Sequence, residues 1–416
     1  MSITLTASEY ALHYAFDAGA QDPFVILEYA TPAEKGWMML YSADGHFEGD
    51  VSLAYSGAGG KTSVALTSAR TTGSIGKAST TLPKAADYQK PTGKSNAKVT
   101  DFVLTETPEG FHYAFNAAGT DYMLLYWRSK EQTVTQPVYP DENGHYEGDV
   151  VSELTFARTQ FTVQVKNGSG SMKKEATVRK GYQAPEAPQR QEGRLSGVTV
   201  CIDAGHQENG RFVNEPIGPG LTGSTSGKGG MAQGTKTNRR ESIVCLEIGM
   251  LLRDELLRQG ANVIMTREDQ TTFHTNIERC EIAEAGGAQI MLRLHCNNSS
   301  NRSKRGIQVY GPLNSDYAKA VADADTYREM GQKLLDAMKT RVGMTLANST
   351  GMVRLNDNYV GNNWAKMMCF LVEMGYLSNP AEEYLLVTPV YQQWLAEGMA
   401  DGVYEIAVAR GWVQAQ

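Results

Sequence analysis

The sequence predicts a multidomain chain: two tandem all-β, sandwich-like domains followed by an α/β domain with a mostly parallel sheet flanked by helices. Three observations carry that prediction. The first 180 or so residues contain an internal repeat, each copy shows strand-like alternation, and from Leu195 onward short apolar runs alternate with amphipathic helical stretches. At 416 residues the chain is also longer than one hydrophobic core usually organises.

The repeat lies in the numbering itself. Leu12-His13-Tyr14-Ala15-Phe16-Asp17-Ala18 matches Phe111-His112-Tyr113-Ala114-Phe115-Asn116-Ala117, and Gly45-His46-Phe47-Glu48-Gly49-Asp50-Val51 matches Gly144-His145-Tyr146-Glu147-Gly148-Asp149-Val150, both at an offset of 99 positions. The copies span 1–84 and 99–181. Leu12/Tyr14/Phe16 alternate as a strand does, Phe24 to Tyr29 and Asp121 to Trp127 are dense apolar runs, and Asp44-Gly45 and Asn143-Gly144 read as turns. Several short strands in about 85 residues fit a small immunoglobulin-like sandwich. Pro83 to Lys98 and Tyr182 to Gly193 read as extended linkers. Trp37, Tyr41, Trp127 and Tyr139 suit sugar-stacking platforms or sandwich-core and cross-strand aromatics, and the second reading is the better fit.

The third domain covers 195–412. Val198 to Ile202 is a strand ending at Asp203-Ala204-Gly205-His206. After a glycine-rich loop, Val244, Ile248, Leu251 and Leu252 make a helical stripe closed by Gly260. Ala261 to Met265 reads as a strand, Thr275 to Ala285 as a helix, and Ile290 to Leu294 and Gly306 to Tyr310 as strands. A long helix over roughly Tyr317 to Arg341, a buried strand Phe370 to Val372 and a closing helix Tyr391 to Val408 complete the order.

In a parallel sheet, residues just past the carboxyl ends of the strands share one crevice. His206, His295 and Glu373 occupy that position, and Glu241, in the first turn of a helix that follows a strand, enters from the same edge. Two imidazoles and two carboxylates there can hold zinc and activate water. Glu241 has a competing role, since Asn238-x-x-Glu241 is also a capping-box pattern. Glu247, the alternative carboxylate, lies roughly 9 Å further along the helix at ~1.5 Å per residue, so Glu241 is the preferred ligand. His13, His46, His112 and His145 hold equivalent places in the two copies and read as structural, and His274 sits in a polar segment that suits solvent or a helix cap. Cys296 beside His295 reads as a core residue, because neighbouring strand residues point to opposite faces.

A net charge of -7 argues against nucleic-acid or anionic-membrane partners. No stretch approaches the roughly 20 apolar residues of a membrane span. All five cysteines follow position 200 without CxxC spacing and give no disulfide framework.

The third domain resembles the zinc-dependent N-acetylmuramoyl-L-alanine amidase family over about residues 197–410. The resemblance rests on Ile202-Asp203-Ala204-Gly205-His206, Glu241 with Leu246, Thr266-Arg267, Glu278-Arg279 with Ile282-Ala283, Leu294-His295-Cys296-Asn297, and Val372-Glu373-Met374-Gly375-Tyr376-Leu377-Ser378-Asn379, in that order. It implies a peptidoglycan hydrolase that cleaves the amide between N-acetylmuramic acid and L-alanine, with His206, Glu241 and His295 as ligands to one zinc ion and Glu373 as the catalytic carboxylate. Arg293 and Asn297, flanking His295, are candidate substrate contacts. The chain departs from the family where Met367-Met368-Cys369 stand in place of proline and small residues, and in its long loop Gln207 to Thr237. A zinc exopeptidase on free peptides, or a non-catalytic wall-binding protein, are the competing classes. The resemblance also implies a secreted or cell-wall location, with the two repeats holding the wall. Residues 1–20 lack a leader's cationic and apolar regions, which leaves either a leader removed from this numbering or a phage-type lysin made in the cytoplasm.

Overall fold

A computed structural model describes residues 2–20, 22–88, 90, 97–107, 110–129, 132–151, 160–179, 184–207, 213–225, 230–342 and 352–415. Two compact units emerge, Met1–Tyr182 and Gln183–Gln416.

In the first unit one strand plan occurs twice. β1 (Thr4–Ala7), β2 (Ala11–Asp17) and β5 (His46–Ser52) form a small antiparallel sheet opposite β3 (Phe24–Ala30), β4 (Glu34–Tyr41), β6 (Gly60–Ser68) and β7 (Ser74–Leu82). The second copy repeats this with β8 (Thr100–Thr107), β9 (Gly110–Asn116) and β12 (His145–Val151) opposite β10 (Met123–Arg128), β11 (Gln132–Val138), β13 (Gln160–Lys166) and β14 (Met172–Arg179). Each copy fills its sandwich with its own alternating residues: Leu12, Phe16, Leu27, Phe47 and Leu66 in one, Phe111, Phe115, Leu125, Trp127 and Phe161 in the other. Trp127 is therefore core, while Tyr41 and Tyr139 are exposed.

The copies are joined edge to edge. β11 pairs with β4, giving one sheet in the order β14-β13-β10-β11-β4-β3-β6-β7. Gln132 Nε2 donates to Glu34 Oε2 at 3.1 Å and to the Tyr29 hydroxyl at 3.2 Å, so the buried Glu34 carboxylate, which burial pushes up in pKa, sits on this seam. Of the predicted linker Pro83 to Lys98, residues 89 and 91–96 lie outside the described residues. The other predicted linker is partly docked: Arg253 donates to Pro185 O, and the Gln191 and Leu195 N–H groups to Leu257 O and Gln259 O.

The second unit contains β15 (Thr199–Ala204), β16 (Glu215–Pro216), β17 (Ser224–Thr225), α1 (Glu241–Arg258), β18 (Asn262–Met265), α2 (Asn276–Ala285), β19 (Ile290–Asn297), β20 (Gln308–Gly311), α3 (Asp316–Val321), α4 (Ala324–Val342), β21 (Met352–Leu355), α5 (Val360–Trp364), β22 (Met368–Tyr376), α6 (Pro380–Leu386) and α7 (Pro389–Ala409). The main sheet runs β18-β15-β19-β22-β20-β21. β18, β15, β19 and β22 are parallel, whereas β20 pairs antiparallel to β22 and carries β21 with it, so the sheet is mixed. The expected helix Tyr317 to Arg341 is broken at Ala322, where φ is -166°. α2 begins as its sequence suggests, with Thr275 and Glu278 closing a capping box. α1 packs on β15 and β19 from one side and α7 on α1 and α4, while Cys201, Cys280, Met291 and Cys369 build a core on the opposite face, under α2 and α5.

α6 supplies a buried carboxylate that staples two segments near the site. Glu382 accepts from the Gly306 N–H at 2.7 Å and the Tyr376 N–H at 2.8 Å. Burial pushes it up to about 7, against the pull of those two N–H groups. Its folded pKa lies above the unfolded one, so the native state holds the extra proton, and stability falls as pH rises between about 4.5 and 7. Glu382→Gln is expected to flatten that slope by up to about 3 kcal/mol, measured by denaturant unfolding at pH 5 and pH 8. Equal slopes in the two proteins would refute it.

Candidate metal centre

The site forms where alternation sends Asp203, Arg293, His295 and Glu373 to one face of the sheet. His295 and Glu373 are direct neighbours in the β19–β22 register, and side chains so paired on adjacent parallel strands, about 4.8 Å apart, project together. Cys296 turns the other way and is buried, as expected. His206 follows β15 in the left-handed region, φ 58°. Such a conformation costs energy in a residue with a side chain and is held only when its surroundings over-determine it. Here they do. Gly205 passes so close to β19 that a Cβ would lie 2.4 Å from Leu294 O and 2.6 Å from His295 Cε1.

Glu241 is the first residue of α1, not part of a capping box. The helix is entered through Arg240, which makes no side-chain cap bond, and the Glu241 carboxylate points into the site instead. Glu241 Oε1 lies 3.1 Å from His206 Nε2 and 3.0 Å from His295 Nδ1, and it accepts the Cys296 N–H at 3.0 Å, while Oε2 accepts the Ala232 N–H at 2.7 Å. Burial works to raise this carboxyl, and the hydrogen bonds to His206 and His295 more than reverse it, holding it well below the usual carboxylate range. Among the described residues, His206, Glu241 and His295 form the one group of three such side chains close enough together to share a metal ion. Two imidazole nitrogens and one carboxylate are a donor set that suits zinc. Glu247 is directed elsewhere, onto Arg239 and Gln392.

Glu373 lines the same cleft, and its Oε2 is buried without a hydrogen-bond partner in the protein. Burial pushes its carboxyl far up, and the charge of Glu241 adds to the shift. Asn297 lines the cleft as well, with its amide nitrogen 3.3 Å from Gln308 Oε1. Arg293 reaches the cleft but is buried and committed, donating to Asp203 Oδ2 at 2.9 Å and to Asn276 Oδ1 at 2.6 Å. His274 also lines the cleft, while the adjacent cap of α2 is Thr275.

The residues that hold the candidate ligands in place escaped sequence reasoning as site residues. Asp203 is fully buried between Arg279 and Arg293, which overcome the cost of burial and keep it ionised. Arg267 donates to Ala204 O, Gly205 O and Ser242 O, tying the His206 turn to the first turn of α1. Glu383, also fully buried, accepts N–H groups of Thr235, Lys236 and Thr237 and so anchors the loop entering α1. The usable signal was a charged residue at the end of an apolar strand, as at Asp203, or beside one, as at Arg267.

Residues 200–405 match the family model for N-acetylmuramoyl-L-alanine amidase. The carboxyl-terminal unit belongs to this family. That unit is accordingly an amidase, a peptidoglycan hydrolase. The amidase unit is 26% identical over 231 residues to the germination-specific N-acetylmuramoyl-L-alanine amidase of Bacillus subtilis, covering 52% of this chain and 83% of that protein. It is 27% identical over 218 residues to the probable cell wall amidase LytH of Staphylococcus aureus, covering 51% of this chain and 60% of that one. A solved N-acetylmuramoyl-L-alanine amidase from Clostridium difficile 630 aligns with 50% of this chain and 96% of its own at 24% identity and a TM-score of 0.40. Among the described residues no helix is long and apolar enough to cross a membrane.

Proposed function

We propose that His206, Glu241 and His295 hold one zinc ion and that Glu373 moves the proton in hydrolysis of the amide between N-acetylmuramic acid and L-alanine. The observation that carries the reading is the register pairing of His295 with Glu373, which sets an uncommitted carboxylate beside three converging ligands. Zinc bound there supplies Lewis acidity, lowering the pKa of water to about 7 and stabilising charge that develops on the scissile carbonyl oxygen. Two neutral imidazoles and one carboxylate leave a dication with net positive charge. Glu373 takes the proton of the attacking water and delivers it to the departing alanine nitrogen. No side-chain nucleophile is required, and the five cysteines are buried away from that role.

Asn297 faces the cleft where it can contact substrate, and Arg293 supports the site through Asp203. The repeats at 1–84 and 99–181 hold the enzyme on the wall, which places it outside the cell or in the wall. Retention of the full chain on insoluble peptidoglycan, lost on removal of residues 1–181, tests that part.

Metal removal tests the chemistry. Chelation is expected to abolish release of dye from labelled cell walls, and added zinc to restore it, with products that carry an L-alanine amino terminus on intact glycan. Undiminished release from metal-free protein would end the proposal, and products cut within the peptide would make the enzyme a peptidase.

A further inference from the structure

The cleft has a second wall that none of these roles uses. It is built by Val213–Thr225, between His206 and Glu241, and carries the β16–β17 hairpin. Glu215 within it is 5% exposed, and its carboxylate is spent on α2: Oε2 accepts from Asn276 Nδ2 at 2.7 Å and Oε1 from the Ile277 N–H at 2.8 Å. A carboxylate in that position satisfies N–H groups the helix leaves unbonded and meets the positive end of its dipole. Three more hydrogen bonds fix the excursion. Trp364 Nε1 donates to Pro216 O at 2.8 Å, Asn363 Nδ2 to Ile217 O at 3.1 Å, and the Asp316 N–H to Pro219 O at 3.0 Å. Ordering a loop against α2, α3 and α5 costs conformational entropy that a plain connection need not lose.

The wall faces the centre. Val213, Glu215 and Thr225 line the same cavity of about 850 Å³ as His206, His295 and Glu373. Val213 is a large apolar side chain left 37% exposed there. Asn276 links the anchor to the ligands, since its Oδ1 accepts from Arg293, which pairs with Asp203. Imidazoles aside, the cations lining the cavity among the described residues are Arg279 and Arg293, and both are paired with Asp203. That leaves the described part of the wall as a surface of the apolar Val213 and the Thr225 hydroxyl, its Glu215 carboxylate spent on α2, with no cation among the described lining residues free to meet a peptide carboxylate. It suits the hydroxyl, acetamido and methyl groups of an uncharged sugar ether.

We propose that the hairpin anchored by Glu215 is a substrate-binding wall that takes the N-acetylmuramoyl side of the scissile amide, with Glu215 as its positioning residue; this rests on the amidase reading of the same centre. The test uses full-length, zinc-loaded protein and a soluble muramoyl-peptide fragment. Val213→Glu places a charge in the wall without touching the anchor, Glu215→Ala removes the anchor, and Glu215→Gln keeps one acceptor oxygen. The expected result is a KM raised about tenfold in Val213→Glu and Glu215→Ala, an intermediate value in Glu215→Gln, kcat within about twofold and unchanged zinc content. A wild-type KM in Val213→Glu, or a fall in kcat and thermal midpoint in Glu215→Ala without a change in KM, overturns the assignment while leaving the amidase reading intact. Wild-type protein that releases no peptide with an L-alanine amino terminus overturns both.

Discussion

Glu373→Gln is expected to keep the zinc proposed for this site and lose roughly 10²–10⁴-fold in kcat, the range that a positioned proton-transfer group contributes. Glutamine has the shape of glutamate, so the β19–β22 register and the ligand group facing it have no reason to change. Its neutral head also suits the site, where burial and the Glu241 charge already disfavour a second anion. What glutamine cannot do is accept a proton from water and return it to a leaving nitrogen. Steady-state kinetics on a soluble muramoyl-peptide and elemental analysis of the same sample separate the two properties. Full turnover with zinc in place would remove Glu373 from the mechanism, and loss of zinc would make it a ligand.

The parts of the site written in strands were legible, because alternation alone decides which side chains share a face. Once β19 ends in Leu294-His295-Cys296, the histidine and the cysteine must part, and the structure separates them. Strand direction was not legible in the same way. The run Gly306 to Tyr310 has one pattern whichever way it points, so the reversal of β20 against β22 left no trace in composition. Nor did the break at Ala322, since neither proline nor glycine stands between Asp316 and Tyr327 to mark it.

Pairing of the two repeats was hidden for a related reason. The β4–β11 seam is made by backbone N–H and C=O groups, which every residue but proline offers alike. Its side-chain component, Gln132 against Glu34, looks like two solvated groups until the partner strand is known, because each is buried only with hydrogen-bond partners that the fold brings from elsewhere in the chain. The arginines under the centre are a third case. Arg267 and Arg279 are both buried by the tertiary fold, and while Arg267 at least follows the apolar run of β18, nothing local distinguishes Arg279 from a solvated arginine.

Glu241→Ala should cost the metal itself. Its Oε1 lies within hydrogen-bond distance of both imidazoles and carries the one negative charge among the three proposed ligands, so alanine leaves two neutral nitrogens and an unanswered Cys296 N–H. Removing an outer partner of a metal site typically costs about 10–100-fold in affinity, and removal of a charged ligand is expected to exceed about 100-fold. The left-handed turn at His206 should survive, because Arg267 holds the carbonyls of Ala204 and Gly205 independently of the metal. Zinc competition against a chromophoric chelator measures the affinity, and unfolding of the metal-free proteins measures the scaffold. Affinity within about threefold of wild type would contradict the ligand assignment, since among the described residues no other carboxylate stands ready: Glu247 is held by Arg239 and Gln392, and Glu373 would have to abandon the position in which the proposed hydrolysis uses it.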